Sequence, residues 1–172
     1  MILPVSDNVS LWKEENFVKN KKQVGKALGR VASGLYVVTA KCEEKEDAVL
    51  ASWVNQCSFD PPAVTIALGT LRQARLLVEG SGSFIVNVLP QDDKALLKHF
   101  SRPPENIFKG VKTRKGLDGI HILSDAVSYL ECEVVHSMQT GDHVVYVGEI
   151  VGGNTLKGGD PYIHVRDNGF NY

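Results

Sequence analysis

The sequence predicts a mainly β fold with helical decoration, arranged as a closed antiparallel barrel. Three observations carry this expectation. About six or seven stretches have strand character against two or three with helical spacing, and they follow no regular βαβ alternation. Sixteen glycines supply many turns. Neither GxGxxG after a strand nor GxxxxGK followed by Ser or Thr is present, which disfavours a doubly wound nucleotide-binding sheet. A chain of 172 residues, 43% hydrophobic and 23% charged, has room for one domain with a real core, or a domain plus a short extension.

Residues 1–20 are mixed and polar and read as an N-terminal arm, leaving 21–172 as the domain. Val24, Ala27, Leu28 and Val31 share one helical face, so Lys21 to Ala32 is expected to be a helix, ended by Gly34. Leu35 to Ala40 is β-rich, and Cys42 to Asp47 reads as a charged hairpin loop. A second strand covers Ala48 to Phe59 and stops at Asp60-Pro61-Pro62, because consecutive prolines donate no ladder hydrogen bonds. Ala63 to Leu68 reads as a short strand buried on both faces. Leu71 to Glu79 has helical spacing, Phe84 to Leu89 is a strand, and Gln91 to Phe100 is a further helix. Ser101 to Asp118 is loop-rich. Tyr129 to Gln139 and His143 to Val151 are long strands joined by a tight turn at Thr140-Gly141-Asp142, and Tyr162 to Val165 closes the chain's β-structure.

Composition excludes several functions. A net charge of −1 provides no broad basic surface for nucleic acid. No segment approaches the roughly 20 apolar residues of a membrane span, and the N-terminus lacks signal-peptide character. Cys42, Cys57 and Cys132 are odd in number and lack CxxC spacing, which points to reduced thiols in a cytoplasmic protein rather than a disulfide framework or zinc site. Cys132 alternates with Leu130 and Val134 and reads as a core residue, with His136 on the same face.

The segment from Leu50 to Pro62 breaks simple alternation by mixing apolar anchors with Ser52, Asn55, Gln56 and Ser58. Small and amide side chains on a bent strand leave backbone groups free for a planar polar ligand; a bulged edge strand reads the same way. His143 opens a strand directly after the hairpin turn, where its imidazole can sense, bind or protonate a ligand. In isolation, a histidine bonded to its own turn is the better reading. His99 ends a helix, and His121 has no marked context.

Taken in order, Gly34-Leu35-Tyr36-Val37-Val38-Thr39-Ala40, the Ser52-to-Pro62 segment, Phe84-Ile85-Val86-Asn87-Val88-Leu89, Phe108-Lys109-Gly110-Val111 and Gly141-Asp142-His143 resemble the flavin reductase-like family, the FMN-binding split barrel. The resemblance runs over about residues 25–172. Ala51-Ser52-Trp53-Val54, Tyr129-Leu130-Glu131-Cys132 and the ending His164 to Tyr172 are similar to the flavin reductase module at the C-terminal end of cyanobacterial flavodiiron (diflavin) proteins. No di-iron or flavodoxin-like domain accompanies them, so the chain reads as a free-standing relative or an excised module.

The resemblance implies a split β-barrel of antiparallel Greek-key type that binds FMN, with FAD as the alternative, and uses NADH or NADPH. It lays the flavin ring along Ser52, Trp53, Val54 and Asn55, with Cys57 in the same segment and Ser58 towards the phosphate. Many relatives carry a hydroxyl residue at the start of the next helix. This chain has Ala74 near that place and offers Arg72 and Arg75 instead, cations suited to a phosphate. Asn87 falls near the flavin, although a buried amide more often satisfies a neighbouring backbone group. Lys109 lies in the long loop, and His164 with Tyr172 in the ending. His143 is implied as the catalytic residue, positioning the nicotinamide or supplying a proton. The implied activity is NAD(P)H:flavin oxidoreduction by a homodimer. An electron-transfer module serving a separate redox partner protein and a small β-barrel interaction domain are the alternatives.

Overall fold

The computed structural model describes residues 18–171. Most of the expected arm and Tyr172 therefore lie outside the described residues. Helix α1 (Lys21–Gly29) leads to β1 (Ser33–Gly34), then to the hairpin of β2 (Tyr36–Cys42) and β3 (Lys45–Ala51). A second hairpin follows, β4 (Val54–Phe59) and β5 (Pro62–Gly69). Next come α2 (Gln73–Ser81), β6 (Ser83–Val88) and α3 (Ala95–Ser101). A small hairpin of β7 (Thr113–Lys115) and β8 (His121–Leu123) precedes the long hairpin of β9 (Ser128–Thr140) and β10 (His143–Thr155), and β11 (Ile163–His164) comes last. No helix among the described residues is long and apolar enough to cross a membrane.

Seven strands form one antiparallel sheet in the order β3-β2-β6-β9-β10-β5-β4. β3 and β4 follow one another in sequence yet stand at opposite edges, separated only by Ser52 and Trp53. That link spans about 10 Å at full extension. A flat sheet of this strand number would hold its edges about 29 Å apart. The sheet therefore curls until the edges meet, and among the described residues no ladder joins β3 to β4. The barrel is split along this seam.

Packing agrees with the topology. Ala51 and Val54, from the two edges, share one core with Val38, Ile66, Phe84, Cys132 and Tyr146, and α2 closes it with Leu77 and Val78. Gly148 has no room for a side chain, since a Cβ there would overlap the Phe84 ring. Cys132 is fully buried, and burial, reinforced by Glu131, pushes its thiol up to about 12. On the outer face, Leu96 and Phe100 of α3 cover Leu35, Val37 and Leu89. Ile120 and Ile122 cover Ile85.

The structure revises several elements. Ala48 to Phe59, expected as one strand, is broken at the seam. The stretch expected as a hairpin loop contributes Lys45 to Asp47 to β3, because the turn needs only Glu43-Glu44, with Glu43 at φ 55°. α3 starts at Ala95 rather than Gln91, where Asp93 accepts the Ala95 N–H (2.9 Å). The stretch expected as loop includes β7. Thr65 and Ala67 of β5 are half-buried rather than enclosed on both faces. His136 is exposed rather than in the core. A register shift opposite Val147/Gly148 inserts Val135 as an extra residue, so alternation reverses after Val134. The helix expected to Ala32 ends at Gly29; its buried residues are Gly25 and Gly29, while Leu28 is 39% exposed and Val31, beyond its end, 65%.

Candidate functional site

The seam opens into a cleft of about 680 Å3. One wall is the edge strand β3 with Leu50, Ala51 and Ser52; another is the end of β5 and the Gly69-to-Arg72 turn. Phe100 and Pro103 face them, and Tyr162 and His164 bring in the C-terminal segment. The size falls within the usual range for small-molecule sites, about 300–1,000 Å3.

Two hairpins set the geometry. His143 pairs with Gly69 across β10 and β5, and the Thr70 N–H donates to the Asp142 carbonyl (2.9 Å). Gly141 turns the chain at φ 58°, a left-handed conformation that costs glycine little. His143 therefore stands at the cleft mouth, with its Nε2 atom 3.9 Å from where a Cβ on Gly69 would lie. Its Nδ1–H donates to the Asp142 carboxylate (2.8 Å), and this bond holds the Asp142 carboxyl below its usual range. In the neutral ring this assignment leaves Nε2 as an acceptor. Trp53 packs on the imidazole, ring centroids 4.6 Å apart and tilted by 47°.

Ser52 is 3% exposed, and among the described residues its hydroxyl has no hydrogen-bond partner. Trp53 is anchored by its carbonyl, which accepts from the Ala67 N–H (3.0 Å). Arg72 is exposed on the cleft wall and acts on Asp47. Burial raises the Asp47 carboxyl, while the Ala48 and Ala74 N–H groups and Arg72 oppose that rise. An acidic side chain thus already stands at the start of α2. His164 has its pKa lowered by burial and then by Arg166.

Of the expected residues, Ser52, Arg72, His143 and His164 come together in the cleft, with Trp53 against His143. The rest lie elsewhere. Val54 points into the barrel core. Asn55 and Cys57 are exposed on β4 and Ser58 is half-buried beyond them, and none of the three lines the cleft. Arg75 is committed to the Thr70 carbonyl (Nε, 3.1 Å) and to Glu79 (2.6 Å). Lys109 is exposed in its loop. Asn87 donates to the Val37 carbonyl (3.1 Å) and the Thr39 hydroxyl (3.3 Å) and accepts from the Leu123 N–H (2.8 Å), so its amide ties β6 to its neighbours outside the cleft. Leu50, the Gly69-to-Leu71 turn, Phe100 and Tyr162 were not singled out by pattern. The one signal for the turn is an apolar strand ending in Gly69-Thr70 just before a helix.

Comparisons with known proteins bear on the family and the fold. Diflavin flavoprotein A 1 of Synechocystis sp. (strain ATCC 27184 / PCC 6803 / Kazusa) is 40% identical over 136 residues, covering 77% of this chain and 24% of that protein. The chain thus spans about a quarter of the length of that curated relative. The flavin reductase PheA2 in its native state is 26% identical with TM-score 0.72, over 81% of this chain and 90% of that one. The NADH:FAD oxidoreductase SgcE6 of Streptomyces globisporus, solved in complex with NAD and FAD fragments, shares the fold at 23% identity and TM-score 0.78, over 89% and 93% of the two chains. The flavin reductase like domain matches residues 28–171, the whole split barrel together with its C-terminal segment. On that match the chain belongs to the flavin reductase-like domain family.

Proposed function

We propose that this chain is an NAD(P)H-dependent flavin oxidoreductase that holds FMN in the seam cleft. The observation that carries the reading is Ser52, buried at 3% exposure with its hydroxyl unpartnered in the cleft wall. Such an orphan costs about 1–3 kcal/mol, and a planar ligand with polar groups along one edge removes that cost. Among the described residues β3 is also an edge strand, and its unladdered row of backbone groups suits the same ligand edge.

A bound flavin supplies hydride and electron transfer. The chain's own residues bind and orient. Ser52 and the β3 backbone hold the polar edge of the ring, and Leu50, Leu68 and Phe100 exclude water around it. Arg72 meets the phosphate, with Asp47 limiting how strongly. His143, its Nδ1–H fixed by Asp142, presents Nε2 as an acceptor, which suits the carboxamide N–H of a nicotinamide. That role is positioning rather than proton supply. The test is a visible spectrum and NADH or NADPH oxidation with added FMN. Perturbed flavin bands with donor oxidation support the reading; unperturbed bands and no oxidation contradict it.

A second reading is an electron-carrying module for a separate redox partner, which needs the same flavin cradle. Stopped-flow mixing separates the two, because bound flavin that neither NADH nor NADPH reduces belongs to a carrier. The reading includes a homodimer in the cytoplasm, tested by gel filtration and by fractionation of cells.

A further inference from the structure

The final segment lies across α1 and the seam like a strap. Its first half is tied to the barrel: the Leu35 N–H donates to the Tyr162 carbonyl (3.1 Å), Tyr162 N–H to Leu89 (2.9 Å), and β11 pairs with β1. Its second half is tied to α1: Arg166 N–H donates to the Gly29 carbonyl (3.1 Å) and Gly169 N–H to Gly25 (2.7 Å). The approach is close enough that a Cβ on Gly29 would overlap the Arg166 carbonyl, and one on Gly25 would meet Asn168 Oδ1 at 2.5 Å. These glycines are the buried face of α1. The strap carries the Arg166 guanidinium to 5.6 Å from the centre of the Trp53 ring, and Trp53 packs on His143 at 4.6 Å.

We propose that Arg166 is a positioning residue for His143, acting through the indole of Trp53. A guanidinium over an indole face is attracted by the ring quadrupole, most strongly for tryptophan. Trp53 sits at the break between two strands, where among the described residues no ladder joins β3 to β4, and its carbonyl accepts from the Ala67 N–H. The strap adds a contact to the ring from outside the cleft. The inference rests on the proposed role of His143 facing the hydride donor, but its geometry is testable without that role.

Two measurements on the full chain decide it. The His143 ring-proton resonances, shifted by the Trp53 ring current, are followed by NMR in Arg166→Gln, Arg166→Lys and Gly29→Ala. The proposal expects displacement towards unstructured values in Arg166→Gln and in Gly29→Ala, which moves the strap without removing a cation, and retention in Arg166→Lys. Unchanged resonances in Arg166→Gln, or equal displacement in Arg166→Lys, overturn it. The second measurement is kcat/KM for NADH and NADPH beside FMN affinity. Arg166→Gln should lower kcat/KM about ten-fold, the scale of a small misplacement, with FMN affinity unchanged and Arg166→Lys restoring turnover. An equal loss of FMN affinity overturns the positioning role. A wild-type chain that binds FMN but oxidises neither donor rejects the functional reading, and the resonances then decide the positioning alone.

Discussion

Asn87 and Ser52 are both buried polar side chains near the curled sheet, at 0% and 3% exposure, and their surroundings are opposite. Asn87 makes hydrogen bonds to Val37, Thr39 and Leu123. Around it Thr39 donates to the His121 carbonyl (2.6 Å), and His121 bonds Thr113 (2.7 Å) and Glu46 (3.0 Å) while Phe108 stacks on it. Among the described residues the Ser52 hydroxyl has no partner. The first region closes on itself and serves architecture. The second leaves a polar group waiting at a cleft, and serves a ligand. Burial alone does not mark a site; an unsatisfied group on a cleft wall does, whereas the Tyr146 hydroxyl, also unsatisfied, lies in the barrel core.

The largest effect that would break this contrast is at Asn87. Asn87→Ala should destabilise the fold by about 2–4 kcal/mol, because it strands buried partners, while the folded protein keeps its FMN affinity. Denaturant unfolding and FMN titration read the two quantities. A stable variant that has lost FMN would move Asn87 into the site.

His143→Ala sharpens the other side. It should lower kcat/KM for the nicotinamide donor about a hundred-fold, the scale of lost orientation, and leave FMN affinity and stability intact. Steady-state kinetics with unchanged donor affinity and turnover would remove His143 from the mechanism.

Ser52→Ala is the mirror of the Asn87 variant. It should leave stability unchanged or slightly higher, since an orphan is removed, and weaken FMN about five- to ten-fold, the worth of one hydrogen bond. A loss of stability matching that of Asn87→Ala would show that Ser52 is structural.

The smallest effect is on pH. Burial and Arg166 lower the pKa of His164 in the fold. Below the ordinary value of about 6.5 the unfolded chain binds more protons than the folded one. Stability from this group is complete above that value and is lost as pH falls through the folded one. Unfolding from pH 8 to 5 should show this decline in the wild type and a flatter profile in His164→Asn. An unchanged slope would contradict the assignment.

The barrel strands were legible because alternation and turn chemistry are local. Tyr129 to Met138, the Gly141-Asp142 turn and the His143 strand are read from neighbours in sequence. Their failures are also physical. Val135 adds one residue to β9 and sends His136 outward, an event that depends on the facing strand. α1 buries its glycines because the partner is a close-lying strap, not an apolar core, so the hydrophobic face was a poor guide. In the site, Ser52, Arg72 and His143 were reached through motifs. Asn87 was set apart from them only by the commoner fate of a buried amide, and the partners that fulfil it lie 36 to 50 residues away, out of reach of local pattern. Asn55, Cys57 and Ser58 came from the resemblance; they stand on β4, past the break, and do not line the cleft.

The central claim is that the flavin lies against the seam. Titration of FMN into isotope-labelled protein, followed by amide NMR, tests it directly. The account predicts that the largest shifts fall on Val49 to Trp53, Gly69 to Arg72 and His143, with Asn87 and its partners unmoved. Shifts centred on the other surface hollow, lined by Gln23, Lys26 and Arg30, or an unchanged spectrum, would contradict it.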